Sequence, residues 1–467
     1  MDQRSSRTEN RDAFESIRHS HESGGAFDRG SKGRASRFVK GTAIPKPPNQ
    51  DSAGLLALFA HPLSLLLLCL PVGVVAYYQR WGHLWIFWLN FFAMIPLAKI
   101  MGDATEELAA GLKNDMFAGL LNATFGNAVE MVITINTLRA GLFDVVKATL
   151  LGSVLSNLLL VLGMSFFFGG IVGIRASPGG QSRPLGPGGN GQELLAQQEK
   201  DDKRSTASTF VNEKVQTFSA MSALVNTSML LLSCLSFSLV TVFYSITAQS
   251  GRSRNRMDEI LLPVSRICAV IITGCYIAYI IFQLVTHRHA LQEVDDACDE
   301  DGDEDPKLSI GAAMGMLAGT TVIVGFCSEL LVEALQGITK EASLSVHFIG
   351  IVLLPIVGNA CEHASAIRFA MMDKPGLSIG IAVGSSTQIS LFVVPFSVLV
   401  GWMMGLPMDL NFGALNTTVM TLSVIVVLSV VVDGQANWLQ GYLLVSAYCV
   451  IAVLYWFLPD DLEDGDL

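Results

Sequence analysis

Gly126-Asn127-Ala128-Val129-Glu130 and Gly358-Asn359-Ala360-Cys361-Glu362 are the same polar word written twice into apolar sequence. Each word is followed 26 residues later by a Gly-Ser pair, Gly152-Ser153 and Gly384-Ser385. The chain is thus duplicated internally, with an offset of 232 residues. Each copy places a carboxylate in a stretch that reads as membrane-spanning, where an ionisable group is costly and points to function by default. Matched polar interruptions in duplicated halves are the best sequence pointer to a transporter's binding site.

Composition agrees with a membrane protein. Hydrophobic residues make up 51% and charged residues 15% of the 467, and mean hydropathy is +0.47. Soluble chains carry about 25% charged residues. The net charge of −11 hides a split: residues 1–50 are basic, while acid gathers in one loop and in the final residues. Basic tails can bind nucleic acid, but topology explains this one more simply, and no nucleic-acid partner is expected. The eight cysteines are scattered without CxxC or zinc spacing, so neither a disulfide framework nor a structural metal is expected. The first 50 residues lack an apolar run, so no cleavable signal peptide is expected.

Spans of about 20 apolar residues cross a bilayer. The sequence predicts helices at 53–77, 83–102, 116–138, 147–173, 215–246, 259–285, 308–337, 345–371, 377–404, 411–432 and 436–458. The expected fold is an all-α polytopic membrane protein of about 11 transmembrane helices: one N-terminal helix plus two inverted five-helix repeats. The domain reading is a disordered basic cytosolic tail at 1–52, the N-terminal helix at 53–78 and a first repeat at 79–285. A flexible Gly/Pro-rich loop at 174–214 interrupts that repeat. An acidic linker at 286–307 then leads to a second repeat at 308–460. The linker carries nine acidic residues among the fourteen from Glu293 to Pro306, without EF-hand spacing.

Lys/Arg bias sets orientation. With the N-terminus cytosolic, 21 basic residues lie on that side and seven on the other. The cluster Arg252, Arg254 and Arg256 is the exception. The C-terminus then lies in the lumen. Glu130 falls on the third helix and Glu362 on the eighth, so the two copies run oppositely across the membrane. That is the inverted arrangement which brings two half-sites together near the midplane.

Asn127 and Glu130 are three residues apart, as are Asn359 and Glu362, which puts amide and carboxylate on one helix face. Each glycine permits local unwinding, tolerated at membrane depth only where backbone lines a cavity or is buried in protein. Ser153, Ser156 and Asn157 in the first following helix, and Ser385, Ser386 and Gln388 in the second, add further oxygens. Two carboxylates with amide, hydroxyl and carbonyl oxygens suit a hard divalent cation such as Ca²⁺ and balance its charge. An emptied pair of facing carboxylates takes up protons, so Ca²⁺ and H⁺ compete for the same groups. A third proton needs another titratable group, and His363 beside Glu362 is available. Cys361 is read as packing.

The segments GNAVEMVITINTL and GNACEHASAI, each followed by a Gly-Ser helix (LLGSVLSNLLLVLG and IGIAVGSSTQISLFVVP), resemble the signature repeats of the calcium/proton exchanger (CAX) family, within the cation/Ca²⁺ antiporter superfamily. The resemblance covers roughly residues 53–460, and the acidic run 293–305 is similar to the segment joining the halves in that family. It implies a transporter, not an enzyme, in the vacuolar or a similar acidic organelle membrane. It also implies that Glu130 and Glu362 are the transport carboxylates.

The expected function is a secondary antiporter, moving cytosolic Ca²⁺ or Mn²⁺ against luminal protons by alternating access. Its expected partners are those ions and the lipid bilayer, and it needs no cofactor. Expected cation- or proton-binding residues are Glu130, Glu362, Asn127, Asn359, Ser153, Ser385 and Gln388, with His363 as the proton-coupling candidate. Glu106 and Glu107 on one face, and Glu329 and Glu333 on the other, are candidate entrance acids. The rival readings are a Na⁺- or K⁺-coupled exchanger, a cation channel and an intramembrane protease. The protease lacks a GxGD word. A channel would place its carboxylates in a ring of equivalent subunits rather than in inverted copies.

Overall fold

Apolar runs this long satisfy their backbone within the segment, as helix, when water is absent. The computed structural model describes residues 50–112, 115–175, 215–249, 254–287, 307–342 and 344–458. Eight helices among them are long and apolar enough to cross a membrane. A ninth span arises if the bent pair Val346–Gly358 and Ala360–Met371, which meet at 61°, is counted as one. The sole strands among the described residues are Gln216–Thr217 and Gln435–Ala436, an antiparallel pair. The Met1–Pro47 unit, most of the 174–214 loop and most of the acidic linker lie outside the described residues.

Several expected helices differ in extent, and those at 116–138 and 345–371 are each broken in two. The 53–77 helix is divided into Gln50–Phe59, a 3-10 turn Pro62–Leu68 and Cys69–Tyr78. Pro62 has no N–H to continue a helix but suits the start of one. The His61 ring accepts from the Leu63 N–H at that new start. The 83–102 helix runs on as His83–Leu112, because the string ATEELAAGL is rich in helix formers despite its charge. The 215–246 helix begins only at Ala220, since Gln216 and Thr217 pair with the other strand.

Burial separates two kinds of helix. The most apolar windows of Phe143–Val172 and Pro375–Met403 are 72% and 67% buried, those of Glu259–Thr286 and Trp438–Trp456 only 22% each. The first two are therefore central and the others peripheral. The peripheral helices turn Ile267, Ile271, Ile277, Leu443, Val450 and Val453 outward, as a lipid-facing surface does.

One apolar core joins Phe143–Leu155 and Leu162–Arg175 with Pro375–Gln388 and Val394–Met403, through Leu151, Leu155, Leu158, Ala382, Val383 and Leu391. The other joins His83–Leu112 to Ile310–Ala342 through Met94, Leu97, Met101, Val324, Leu331 and Leu335. In both cores, elements that correspond in the duplicated sequence lie side by side. Gly152 marks a close approach between the halves: a Cβ there would collide with the Ile351 backbone, so only glycine lets the two segments touch.

Candidate cation site

Both words sit at helix breaks. The first interrupts Asp115–Phe125 and Ala128–Arg139, the second Val346–Gly358 and Ala360–Met371. Asn127 (φ −106°, ψ 27°) and Asn359 (φ −89°, ψ 13°) take nearly the same conformation outside the regular helix, in the sparsely allowed region between strand and helix. Each occupies the N-cap of the following helix, where asparagine ordinarily folds back onto the first-turn N–H groups. Neither does so here.

Both amides instead reach the opposite half of the chain. Asn127 Nδ2 donates to Gln388 Oε1 at 2.7 Å, and its Oδ1 accepts from the Ser385 hydroxyl at 3.2 Å. Asn359 Nδ2 donates to the Ser153 carbonyl at 3.1 Å. Asn157 extends the first set, donating to Ser385 Oγ at 3.1 Å. Each word is thus tied to the Gly-Ser helix of the other copy.

The carboxylates occupy equivalent places in the first turns of Ala128–Arg139 and Ala360–Met371, where the helix dipole favours negative charge. Glu130 is 2% exposed, and its Oε1 lies against Gly358, where a Cβ would approach to 2.6 Å. Neither oxygen of Glu130 has a hydrogen-bond partner among the described residues, and nor do Glu362 Oε2, Ser153 Oγ and Asn359 Oδ1. Buried polar atoms are ordinarily paired. A group of oxygens without donors is what a cation requires. No cluster of three or more His, Cys, Asp or Glu that could hold a metal ion occurs among the described residues.

A cavity of about 480 Å³ opens beside these groups. Asn127, Gly358, Glu362, Ser385 and Gln388 line it, together with Glu106. Glu130 lies behind this wall, next to the lining residues Val129 and Gly358. Cys361 lines the cavity as well as packing against Gly102, so the packing reading gave half of its position. The His363 ring bonds the Asn359 carbonyl through Nδ1 at 2.7 Å. A carbonyl only accepts, so Nδ1 carries the proton, and Nε2, buried without a partner, is the nitrogen with a free lone pair.

The candidate entrance acids separate. Glu106 is on the cavity wall. Glu107 instead accepts from the backbone N–H groups of Lys307 and Leu308 at 2.8 and 3.1 Å, holding the entry into Ile310–Ala342. Glu329 and Glu333 are exposed and are not among the cavity's lining residues. Glu333 accepts from the Tyr77 hydroxyl at 2.9 Å.

Ser222, Asn226, Tyr279, Gln283 and Ser365 also line the cavity and were not anticipated. Ser365 stands three residues beyond Glu362, a spacing that could have exposed it. Asn226 accepts the Tyr279 hydroxyl at 2.5 Å, and its carbonyl accepts from Thr387 at 3.3 Å. The helices Ala220–Gln249 and Arg254–Ile281 carry no repeated word, so nothing in the sequence marked these residues. The π-helical turns Ser156–Val161 and Ile389–Val393, one in each copy directly after the Gly-Ser pair, were also unforeseen. Such turns are frequent at functional sites.

These features define a mostly helical membrane protein with a polar cavity between two copies of one motif. The model of the sodium/calcium exchanger protein family matches residues 82–285 and 312–457, and the chain belongs to that family. It is similar to vacuolar cation/proton exchanger 3 of Oryza sativa subsp. japonica, 37% identical over 420 residues, which cover 88% of this chain and 89% of that protein. Vacuolar cation/proton exchanger 3 of Arabidopsis thaliana is 37% identical over 412 residues, 86% of this chain and 81% of that one. Among solved structures, native YfkE is similar at 29% identity with a TM-score of 0.64, covering 85% of this chain and all of that one. A second structure of YfkE, described as a Ca²⁺/H⁺ antiporter, is similar at 28% identity with a TM-score of 0.61, covering 86% of this chain and all of that one.

Proposed function

We propose that this protein is a secondary antiporter that exchanges cytosolic Ca²⁺ or Mn²⁺ for protons from an acidic organelle lumen. The observation that carries this reading is the crossing of the two words, with Asn127 bonded to Gln388 and Ser385, Asn359 to Ser153, and Glu130 seated on Gly358. The names of the rice and Arabidopsis relatives and of YfkE support proton-coupled exchange.

In this reading Glu130 and Glu362 bind the cation, helped by oxygens of Asn127, Asn359, Ser153, Ser385 and Gln388. Ca²⁺ gains a charge-balanced oxygen shell. When it leaves, protons neutralise the same carboxylates, and either occupant lowers the cost of carrying two acids through the membrane. A binding site shared by two ions, open to one side at a time, gives coupled exchange. His363, with Nε2 free, supplies the place for a third proton.

The architecture proposed for this work is eleven spans, with the first outside two inverted repeats of five, at 79–285 and 308–460. Glu106, Gln283 and Gly376 line the cavity beside connections that Lys/Arg bias assigns to the cytosol, which supports Glu106 as an acid at the cytosolic entrance.

The test is uptake of radiolabelled Ca²⁺ into sealed vesicles with an acid interior, with and without Na⁺. Uptake that survives collapse of the pH gradient contradicts proton exchange. Uptake that requires Na⁺ favours the sodium-coupled alternative.

A further inference from the structure

Arg266 is a charged residue in a span built to face lipid. The stretch Glu259–Thr286 has a mean hydropathy of 2.2 in its most apolar window, and Ile267, Val270 and Ile271 around Arg266 are each more than half exposed. The guanidinium lies over the Trp402 ring, 5.1 Å from its centre. Arg266 takes part in neither of the ion pairs Lys99–Asp103 and Lys147–Asp409. Its Nε is buried with no hydrogen-bond partner among them.

Two contacts fix the height of this residue. Trp402 is the penultimate residue of Val394–Met403 and is half exposed, with Met403 beyond it 86% exposed. The loop after that helix crosses Arg254–Ile281 at Ser265, whose hydroxyl accepts from the Leu410 N–H at 3.2 Å. The turns ahead of Ser265, about 16 Å of helix at 1.5 Å per residue, project past the loop. Arg266 thus lies level with the end of Val394–Met403 and its tryptophan. Tryptophan settles at the membrane surface and arginine extends its charge toward it.

We propose that Arg266 and Trp402 bind the phosphodiester of an anionic glycerophospholipid in the leaflet beside the 404–413 loop. The indole orients the guanidinium plane, which pairs with phosphate oxygens in a fork. The acyl chains lie along Ile267, Val270 and Ile271. Free phosphate shares the headgroup's chemistry but gains nothing from that apolar strip.

The test uses the full chain purified in detergent, with short-chain phosphatidylglycerol, diacylglycerol or inorganic phosphate as probes. Native mass spectrometry reads the bound fraction and circular dichroism reads the melt. Phosphatidylglycerol should remain bound and raise the melting temperature, while the other two probes do neither. Arg266→Gln should weaken phosphatidylglycerol binding about tenfold, the size of a lost charge-assisted hydrogen bond. Trp402→Ala should weaken it by a smaller factor, and Arg139→Gln should not change it. Undiminished binding by Arg266→Gln overturns the proposal. So does equal stabilisation by inorganic phosphate, which would mean a free-anion site, or an equal loss in Arg139→Gln. If Arg266→Gln does not fold, Arg266→Lys and Trp402→Ala decide the question, and unchanged binding in both overturns the proposal.

Discussion

The carboxylate of Glu130, in the first copy of the motif, rests on Gly358, the opening residue of the second. A glycine that reads as a helix breaker in its own segment is also the floor of the other segment's acid. A Cβ at this position would come within 2.6 Å of Oε1, and its neighbours there are packed helices that cannot simply withdraw. Gly358→Ala should therefore displace Glu130 while leaving its charge in place. Displacing a reactive group by about 1 Å can cost a hundredfold in rate. We expect Ca²⁺ uptake to fall by about that factor, with protein abundance in the membrane unchanged, as checked by quantitative blotting beside the flux assay.

Asn127 tests whether the crossing hydrogen bonds are helix-to-helix glue or part of the ion site. An interhelical hydrogen bond in a membrane protein averages only about 0.6 kcal/mol, less than a threefold effect. If Asn127 and Gln388 only hold helices together, Asn127→Ala should lower the melting temperature slightly and leave Ca²⁺ affinity nearly intact. The proposed function predicts more than a tenfold weakening of the apparent affinity. It also predicts that Asn127→Ala and Gln388→Ala combine less than additively, because the pair shares one contact. Concentration-dependent uptake in the two single variants and the double variant decides between these outcomes.

Competition between Ca²⁺ and protons has a definite sign. Lowering pH on the side where Ca²⁺ binds should raise the concentration needed for half-maximal uptake. By linkage, two competing protons give a slope of up to about a hundredfold per pH unit, and three up to about a thousandfold. His363→Ala should reduce the slope if Nε2 takes the third proton. An unchanged slope removes His363 from coupling and leaves its Nδ1 bond to Asn359 as its structural role.

The neighbours Glu106 and Glu107 should behave differently, although the sequence offers no reason to separate them. Glu107→Gln weakens a carboxylate cap on the Lys307 and Leu308 N–H groups and should cost about 1 kcal/mol of stability, visible as a lower melting temperature with transport per folded molecule preserved. Glu106→Gln should slow uptake at low Ca²⁺ and leave the melt alone. Thermal melts and initial rates on the same two preparations separate the roles.

The duplication was legible because it is written in residue types that an apolar segment does not otherwise tolerate. Gly-Asn-x-x-Glu at a fixed offset marks both helix breaks, and the matched Gly-Ser pair marks the helices that Asn127 and Asn359 reach. The helices themselves followed from apolar length, with errors where local chemistry overrode it: Pro62 divides the first, and ATEELAAGL prolongs the second. Asn226, Tyr279 and Gln283 were illegible because they reach the cavity through tertiary packing alone. The π turns that begin at Ser156 and Ile389 were illegible too, since an extra residue per turn leaves no mark on hydropathy. The fates of Glu107 and Glu333 depended on the Lys307 and Leu308 backbone and on Tyr77, contacts made 200 or more positions away in the chain.

The most direct measurement of the central claim is proton-gradient-driven Ca²⁺ uptake by Glu130→Gln and Glu362→Gln in sealed vesicles, each nearly isosteric with the native side chain. If the two acids form one shared ion site, each single variant should abolish exchange and the double variant should be no worse than either alone. Both variants should still fold and melt as cooperative proteins. Sustained uptake in both, with the native response to the pH gradient, would contradict the account.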